Sequence, residues 1–359
     1  TDLDNKRNHH PRLDRMFILK ERIPGIQSVT MNLSTRFESL THLSAHHLSL
    51  LFALGLMFSN LNSWASFPLI ASAEDFIRAA SEGDLPKLKI LKASGVHPSA
   101  SDSEGLNALL VATENGHREV ILKLLEWKVP PDLSSPGGVT PLMVASVGNH
   151  RQIVIDLIKA GADPNRSEAE GLTPLMYASV SNATEAITEL LKAGADVNAV
   201  DPSGLSALSY SAVDNLDESV EILLNAGADP NVTTKTGWTP LMDASMQGHL
   251  KIIERLVKAG AEIDRPNGYG WTPLAYATLD NRIEVVKLLC GQGADIDKPS
   301  ARGLTPLMIA CKQGHLDLAK FLVEEGADRK AITVAGKTAL DLAEEFDQGE
   351  VAEWLCGLD

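Results

Sequence analysis

The 359 residues would fill two average domains, yet nothing in the pattern divides them that way. Net charge is −15; residues 1–73 hold 7 Lys and Arg against 5 Asp and Glu, leaving 25 against 42 on the remainder. A surface that acidic lacks the basic face that phosphate contacts need, which excludes nucleic acid as the expected partner.

In chain order, residues 1–47 show no periodicity and many polar side chains, and are read as a disordered N-terminal segment. The chain opens on Thr1, so the true start could also lie at Met16 or Met31. Residues 48–73 form a second region. An apolar run from Leu48 to Phe58 is followed by two small-x-small sites, Ser63-Trp64-Ala65 and Ala71-Ser72-Ala73, and no charge falls between Glu38 and Glu74. From Met31 this has the layout of a secretory signal peptide, with cleavage giving Ser66 or Glu74 as the mature N-terminus and an exported, periplasmic or secreted, protein. A membrane anchor and a cytoplasmic protein with neither signal are the alternatives. A span is disfavoured because Asn60, Asn62 and Pro68 interrupt an already short run.

Residues 74–359 repeat. The phrase Gly237-Trp238-Thr239-Pro240-Leu241 returns 33 residues later as Gly270-Trp271-Thr272-Pro273-Leu274, and the Thr slot recurs at 107, 140, 173, 206, 239, 272, 305 and 338. A step back to Glu74 makes nine units. A fixed period of this length marks a stacked array. With the slot counted as zero, Thr is a good N-cap and Pro at +1 costs no hydrogen bond. Gly, Asn or Asp at +9 ends a first helix in left-handed backbone, and an apolar pair near +17 sits in a second. A glycine at +21 stops that helix, and another at −2 marks a turn. The expected fold is all-α: a solenoid of about nine helix–turn–helix units, almost wholly helical with short loops. At ~10 Å per unit the array would run about 90 Å.

The phrase Thr-Pro-Leu, Gly248-His249, Gly314-His315 and Gly161-Ala162-Asp163-Pro164-Asn165 closely resemble the ankyrin repeat family over residues 74–359. The resemblance implies a non-catalytic protein-interaction scaffold with a concave binding face. Two departures stand out. The family's His after Thr-Pro-Leu is mostly Met here (Met143, Met176, Met242, Met308), and Trp127-Lys128-Val129 replaces the usual Ala-Gly-Ala, which predicts a distorted junction after the second unit.

Residues that resemble chemistry follow the repeat. His117, His150, His249 and His315 share +10, and Asp163, Asp196, Asp229, Glu262, Asp295 and Asp328 share +23. No Cys or carboxylate stands at metal-ligand spacing from a His pair, and no nucleotide loop or nucleophile elbow is present. No catalytic, metal or cofactor-binding residue is assigned. Cys290, Cys311 and Cys356 read as buried thiols, with a Cys290–Cys311 bridge left open. Three Asn-x-Ser/Thr sequons, at Asn165, Asn182 and Asn231, coincide with repeat positions.

What the repeat leaves free points to a partner. Trp238 and Trp271 share −1, where Leu or Val serves in five other units; Tyr177, Tyr210 and Tyr276 share +4; Met246 stands at +7 and Tyr269 beside Trp271. The resemblance places these along the concave face, with the two Trp rings ~10 Å apart at the centre of a protein-binding site. The +4 residues could equally be inter-repeat packing. An exported effector acting on host proteins, or an accessory subunit of an enzyme, is the alternative function. Membrane contact is expected only through an uncleaved N-terminal segment.

Overall fold

The computed structural model describes residues 72–358. The N-terminal segment 1–47 and the apolar run at 48–58 lie outside the described residues. The described part holds eighteen helices in nine pairs and, apart from two isolated antiparallel bridges, no strand. The pairs are α1 Ala73–Ser81 with α2 Leu85–Ala93, α3 Ala108–Glu114 with α4 Arg118–Glu126, α5 Pro141–Val147 with α6 Arg151–Lys159, and α7 Pro174–Val180 with α8 Thr184–Lys192. They continue as α9 Ala207–Val213 with α10 Asp217–Asn225, α11 Pro240–Gln247 with α12 Leu250–Lys258, and α13 Pro273–Leu279 with α14 Ile283–Gly291. The last are α15 Pro306–Gln313 with α16 Leu316–Glu324 and α17 Ala339–Glu345 with α18 Gly349–Cys356. Helix makes up only about half of this, less than the repeat pattern predicts, because each unit spends a long finger-like loop between its second helix and the next slot.

The slot residue does what its chemistry allows. Thr140, Thr173, Thr239, Thr272, Thr305 and Thr338 all have extended backbone and accept the N–H three residues on, as do Asn107 and Ser206. The left-handed turn at +9 is present in all nine units, carried by Gly in four, Asn in four and Asp347 in the last. Met143, Met176, Met242 and Met308 are all buried, as adaptable apolar side chains in the core.

The junction after the second unit is not distorted. Lys128 adopts φ 67°, the region that Gly161 and its equivalents occupy at +21. Val129 N–H then bonds Leu124 carbonyl at 3.1 Å, as Ala162 N–H bonds Leu157 carbonyl at 3.0 Å. The helix end imposes its geometry on a lysine that bears the strain. Trp127 fills the added room: its ring lies 6.4 Å from that of Phe76 and beneath the Lys92 ammonium, 4.5 Å from the centroid.

Between second helices, +11 of one unit faces +16 of the next. Arg118–Asp156 and Arg151–Glu189 are ion pairs of one polarity and Asp217–Arg255 of the reverse. From Leu250 onward the same slots hold Leu250 and Leu288, Ile283 and Phe321, Leu316 and Trp354. The ion pairs in these slots, interrupted by Leu85 with Lys123 and by Thr184 with Ile222, thus give way to apolar side chains from Leu250 onward. The last unit carries Asp341 and Glu344 at +3 and +6, where inner units bury Met and small side chains, so its outer face is compatible with water.

Candidate partner-binding surface

The fingers are built by a residue that the sequence pattern had not singled out. At −5 every described finger has a short polar or acidic side chain: Asp102, Ser135, Glu168, Asp201, Thr234, Asn267, Ser300 and Thr333. In all eight, the −5 N–H bonds the −1 carbonyl and the −2 glycine N–H returns to the −5 carbonyl. The side chain closes the same loop. Asp201 accepts from Ser203 and Leu205 N–H, Asn267 from Tyr269 and Trp271 N–H, and Thr234 from Trp238 N–H. A recurrence of Asp, Glu, Asn, Ser and Thr five residues before each slot was legible in the sequence.

Successive fingers are tied by one backbone bond each, from the −4 N–H to the previous −3 carbonyl. Ala169 bonds Gly137, Lys235 bonds Ser203, Gly268 bonds Thr236, Ala301 bonds Tyr269 and Val334 bonds Arg302, all at 2.9–3.1 Å. Pro136 and Pro202 occupy −4 in the two remaining junctions and have no N–H to give. The space above Gly105 and Gly171 holds those proline rings, and a Cβ on either glycine would stand 2.2 Å from Pro136 Cγ or 2.5 Å from Pro202 Cδ.

Fingers and first helices share one face. Lys337 at −1 pairs with Glu345 at +7. Lys312 at +7 lies over the ring of Phe346, at +8 of the next unit, 4.2 Å from its centroid. Trp238 at −1 packs on Tyr276, at +4 of the next unit, with centroids 4.4 Å apart; Trp271 packs on the same ring from its own unit at 5.3 Å. The match of a family model settles what this arrangement is: the model for ankyrin repeats (3 copies) fits residues 76–168, 150–234, 208–300 and 292–359. The chain is an ankyrin-repeat protein. Comparison with curated proteins returns no match.

On the inner face of this ankyrin array the seven singled-out residues divide. Tyr269 is 51% exposed, and Trp238, Met246 and Tyr276 are half-buried. Trp271, at 9%, is buried beneath Tyr276, and Tyr177 and Tyr210 are buried as well. Tyr276 thus sits between two Trp rings that do not stand side by side in water. Its hydroxyl accepts from Asn267 Nδ2 at 2.7 Å. Burial pushes its phenol well above the ordinary tyrosine range, an effect the Asn267 bond opposes. Tyr177 is raised likewise, by burial first and then by Glu168 and Glu170.

Three of the four histidines at +10 bond across to the preceding unit. His117, His249 and His315 each donate Nε2–H to a carbonyl of the preceding unit, of Ser81, Val213 and Leu279, at 2.9, 3.1 and 3.2 Å. Arg282, in the same slot, donates Nε–H to Met246 carbonyl at 3.0 Å. Among the described residues all three cysteines are free thiols, Cys356 exposed and Cys311 buried; burial pushes the Cys290 thiol to about 11 and that of Cys311 to about 12.

Proposed function

We propose that this ankyrin array is a non-catalytic adaptor that captures another protein on its inner face, centred on the units with slots at 239 and 272. The observation that carries the reading is the half-exposed cluster of Trp238, Tyr276 and Tyr269, with Met246 on the adjoining helix. Ankyrin repeats generally mediate protein binding, and stacked units order such a surface in advance, so little entropy is lost on docking. The −15 charge supports a protein rather than nucleic acid as the partner. The bonds of His117, His249 and His315 support a structural role for residues that would otherwise be candidates for acid–base chemistry.

The apolar run at Leu48–Phe58 and the small-x-small sites after it support export before the array acts. Cleavage after Ala65 would leave α1 whole, and cleavage after Ala73 would remove only its first residue. N-terminal sequencing of the native protein tests this: Ser66 or Glu74 is expected, and an intact segment before Leu48 rules it out. For the surface, cross-linking from a photoreactive group at Tyr269 in native extract, with the partner then purified and titrated against Trp238→Ala, is the test. Loss of affinity by tenfold or more with the fold retained is expected. Unchanged affinity removes this face as the site.

A further inference from the structure

The inner face is polarised along its length. On the finger tips and the +7 and +8 helix positions, the units with slots at 107 to 206 carry Glu104, Glu114, Glu170 and Asp214 and no Lys or Arg. On the same positions, the units from 239 to 338 carry Lys235, Arg302, Lys312 and Lys337 against Asp280 and Glu345. Alongside the acidic tips the +7 line of the units at 140 to 239 is apolar, formed by Val147, Val180, Val213 and Met246, all half-buried, and the Trp238–Tyr276 cluster stands next to the point where the sign changes. The contacts Lys337–Glu345 and Lys312–Phe346 show that −1, +7 and +8 belong to one continuous face.

The turn chemistry does not require this charge. At −5, Asp102, Glu168 and Asp201 close three of the first four described fingers, and Thr234, Asn267, Ser300 and Thr333 close the last four. Neutral and acidic side chains accept the same −1 N–H at about the same distance, 2.9–3.1 Å for the acids and 3.0–3.2 Å for the others. The loop therefore accepts either, and the acidic set is confined to the half that is acidic elsewhere. Charge that the turn does not need, sorted by sign along a groove, sets the orientation and choice of a bound chain and excludes wrong ones.

We infer that the partner presents a segment whose charge runs from basic to acidic about an apolar centre: basic toward Glu104, Glu114, Glu170 and Asp214, apolar against Met246 and the Trp238–Tyr276 cluster, acidic over Arg302 and Lys312. This rests on the inner face being the binding site. About eight units at ~10 Å each would take roughly 24 residues of extended chain at ~3.3 Å per residue.

The test uses the full chain and two fluorescent 24-residue peptides of one composition. One has eight Lys and Arg, then eight Leu, Val and Tyr with Ser, then eight Asp and Glu. The other keeps the apolar centre and interleaves the charges on both sides of it. By anisotropy at low salt, the blocked peptide should bind at least tenfold more tightly, and the difference should shrink as salt is raised. The triple variant Glu104→Lys, Glu114→Lys, Glu170→Lys alters only exposed side chains. It should abolish the difference while the thermal midpoint stays near that of wild type. Equal affinities for the two peptides, no binding of either, or a triple variant that still prefers the blocked peptide overturns the inference. Tyr269→Ala with Trp238→Ala separates the two levels. If it weakens both peptides alike while wild type shows no preference between them, the face is the site and the polarity is wrong. If it weakens neither bound peptide, the face itself is wrong.

Discussion

The hydroxyl of Tyr210 donates to Asp201 Oδ2 at 2.8 Å, so a +4 residue on a first helix locks the finger of its own unit. Both residues are buried. The same two slots are used again two units on, where Tyr276 accepts from Asn267 with the bond reversed in direction. The aromatic residues of this face are thus pinned from beneath by polar bonds. Tyr210→Phe removes a charge-assisted bond from a buried carboxylate and should cost about 1.5–3 kcal/mol. Tyr276→Phe removes a neutral bond and should cost about 1 kcal/mol. Urea unfolding of the two variants measures both, and the order Tyr210 above Tyr276 is the result to check.

The two tryptophans should respond differently. Trp271 is buried between its finger and Tyr276, so Trp271→Ala opens a cavity and should cost about 3–5 kcal/mol. Trp238 is half-buried, and its alanine variant should lose less stability while losing partner affinity. Thermal melts of the two single variants, set beside the affinity of each, distinguish a core residue from a contact residue. An earlier melt for Trp238→Ala than for Trp271→Ala would reverse the assignment.

Among the described residues, Lys128 is the one at +21 that is not glycine, and it still takes positive φ. Left-handed backbone costs a non-glycine residue about 1 kcal/mol, and Lys128 is exposed, so its side chain adds little packing to lose. Lys128→Gly should raise stability by roughly 0.5–1 kcal/mol, read as a higher denaturant midpoint at constant slope.

The repeat period made most of this array readable. Thr at zero, the turn at +9 and the glycines at +21 and −2 are local rules, each satisfied within a few residues of backbone, and each recurs in place. The unit-two junction failed as a prediction because glycine's absence was read as a change of geometry. The neighbouring units hold that geometry, and Lys128 conforms to it. The burial of Trp271 and Tyr210 was not legible for another reason. The repeat places a side chain on a face, but whether a −1 tryptophan lies over its neighbour depends on which residue occupies +4. Tyr276 is large enough to cover Trp271 in its own unit and to take Trp238 from the unit before, and the repeat pattern, which specifies neither residue, contains neither pairing. The −5 acceptors vary in identity while their role does not, so no single recurring residue marks them in the sequence.

One last relation can be tested by making one unit resemble another. Asn165 accepts Asp196 N–H at 2.7 Å and donates Nδ2–H to Gly194 carbonyl at 3.0 Å; Asn198 and Asn231 repeat both bonds one and two units on. Asp132 occupies the equivalent place beside Asp163. Its two carboxylate oxygens accept Asp163 N–H at 3.3 and 3.2 Å, and it has no hydrogen to give to Gly161 carbonyl. Burial raises the Asp132 carboxyl above the ordinary aspartate range, with Asp163 adding to the rise and the Asp163 N–H and Arg166 opposing it. A raised folded value means that the native state holds its proton more tightly than the unfolded chain. The charged form therefore costs stability, and that cost sets in as pH rises from the unfolded value near 4 through the folded one. Asp217 has the opposite sign: the Arg255 bond lowers it, so its contribution is present at neutral pH and lost as pH falls. Asp132→Asn should supply the missing donor and remove the half-buried charge together, stabilising the array by about 0.5–1.5 kcal/mol at pH 7. The gain should shrink below pH 4, where Asp132 is protonated in both states, and its carboxylic acid can itself donate. Parallel unfolding curves at pH 7 and pH 3.5 check the sign. A variant that is no more stable than wild type at pH 7 would show that the carboxylate already serves this junction as well as the amide serves the next three.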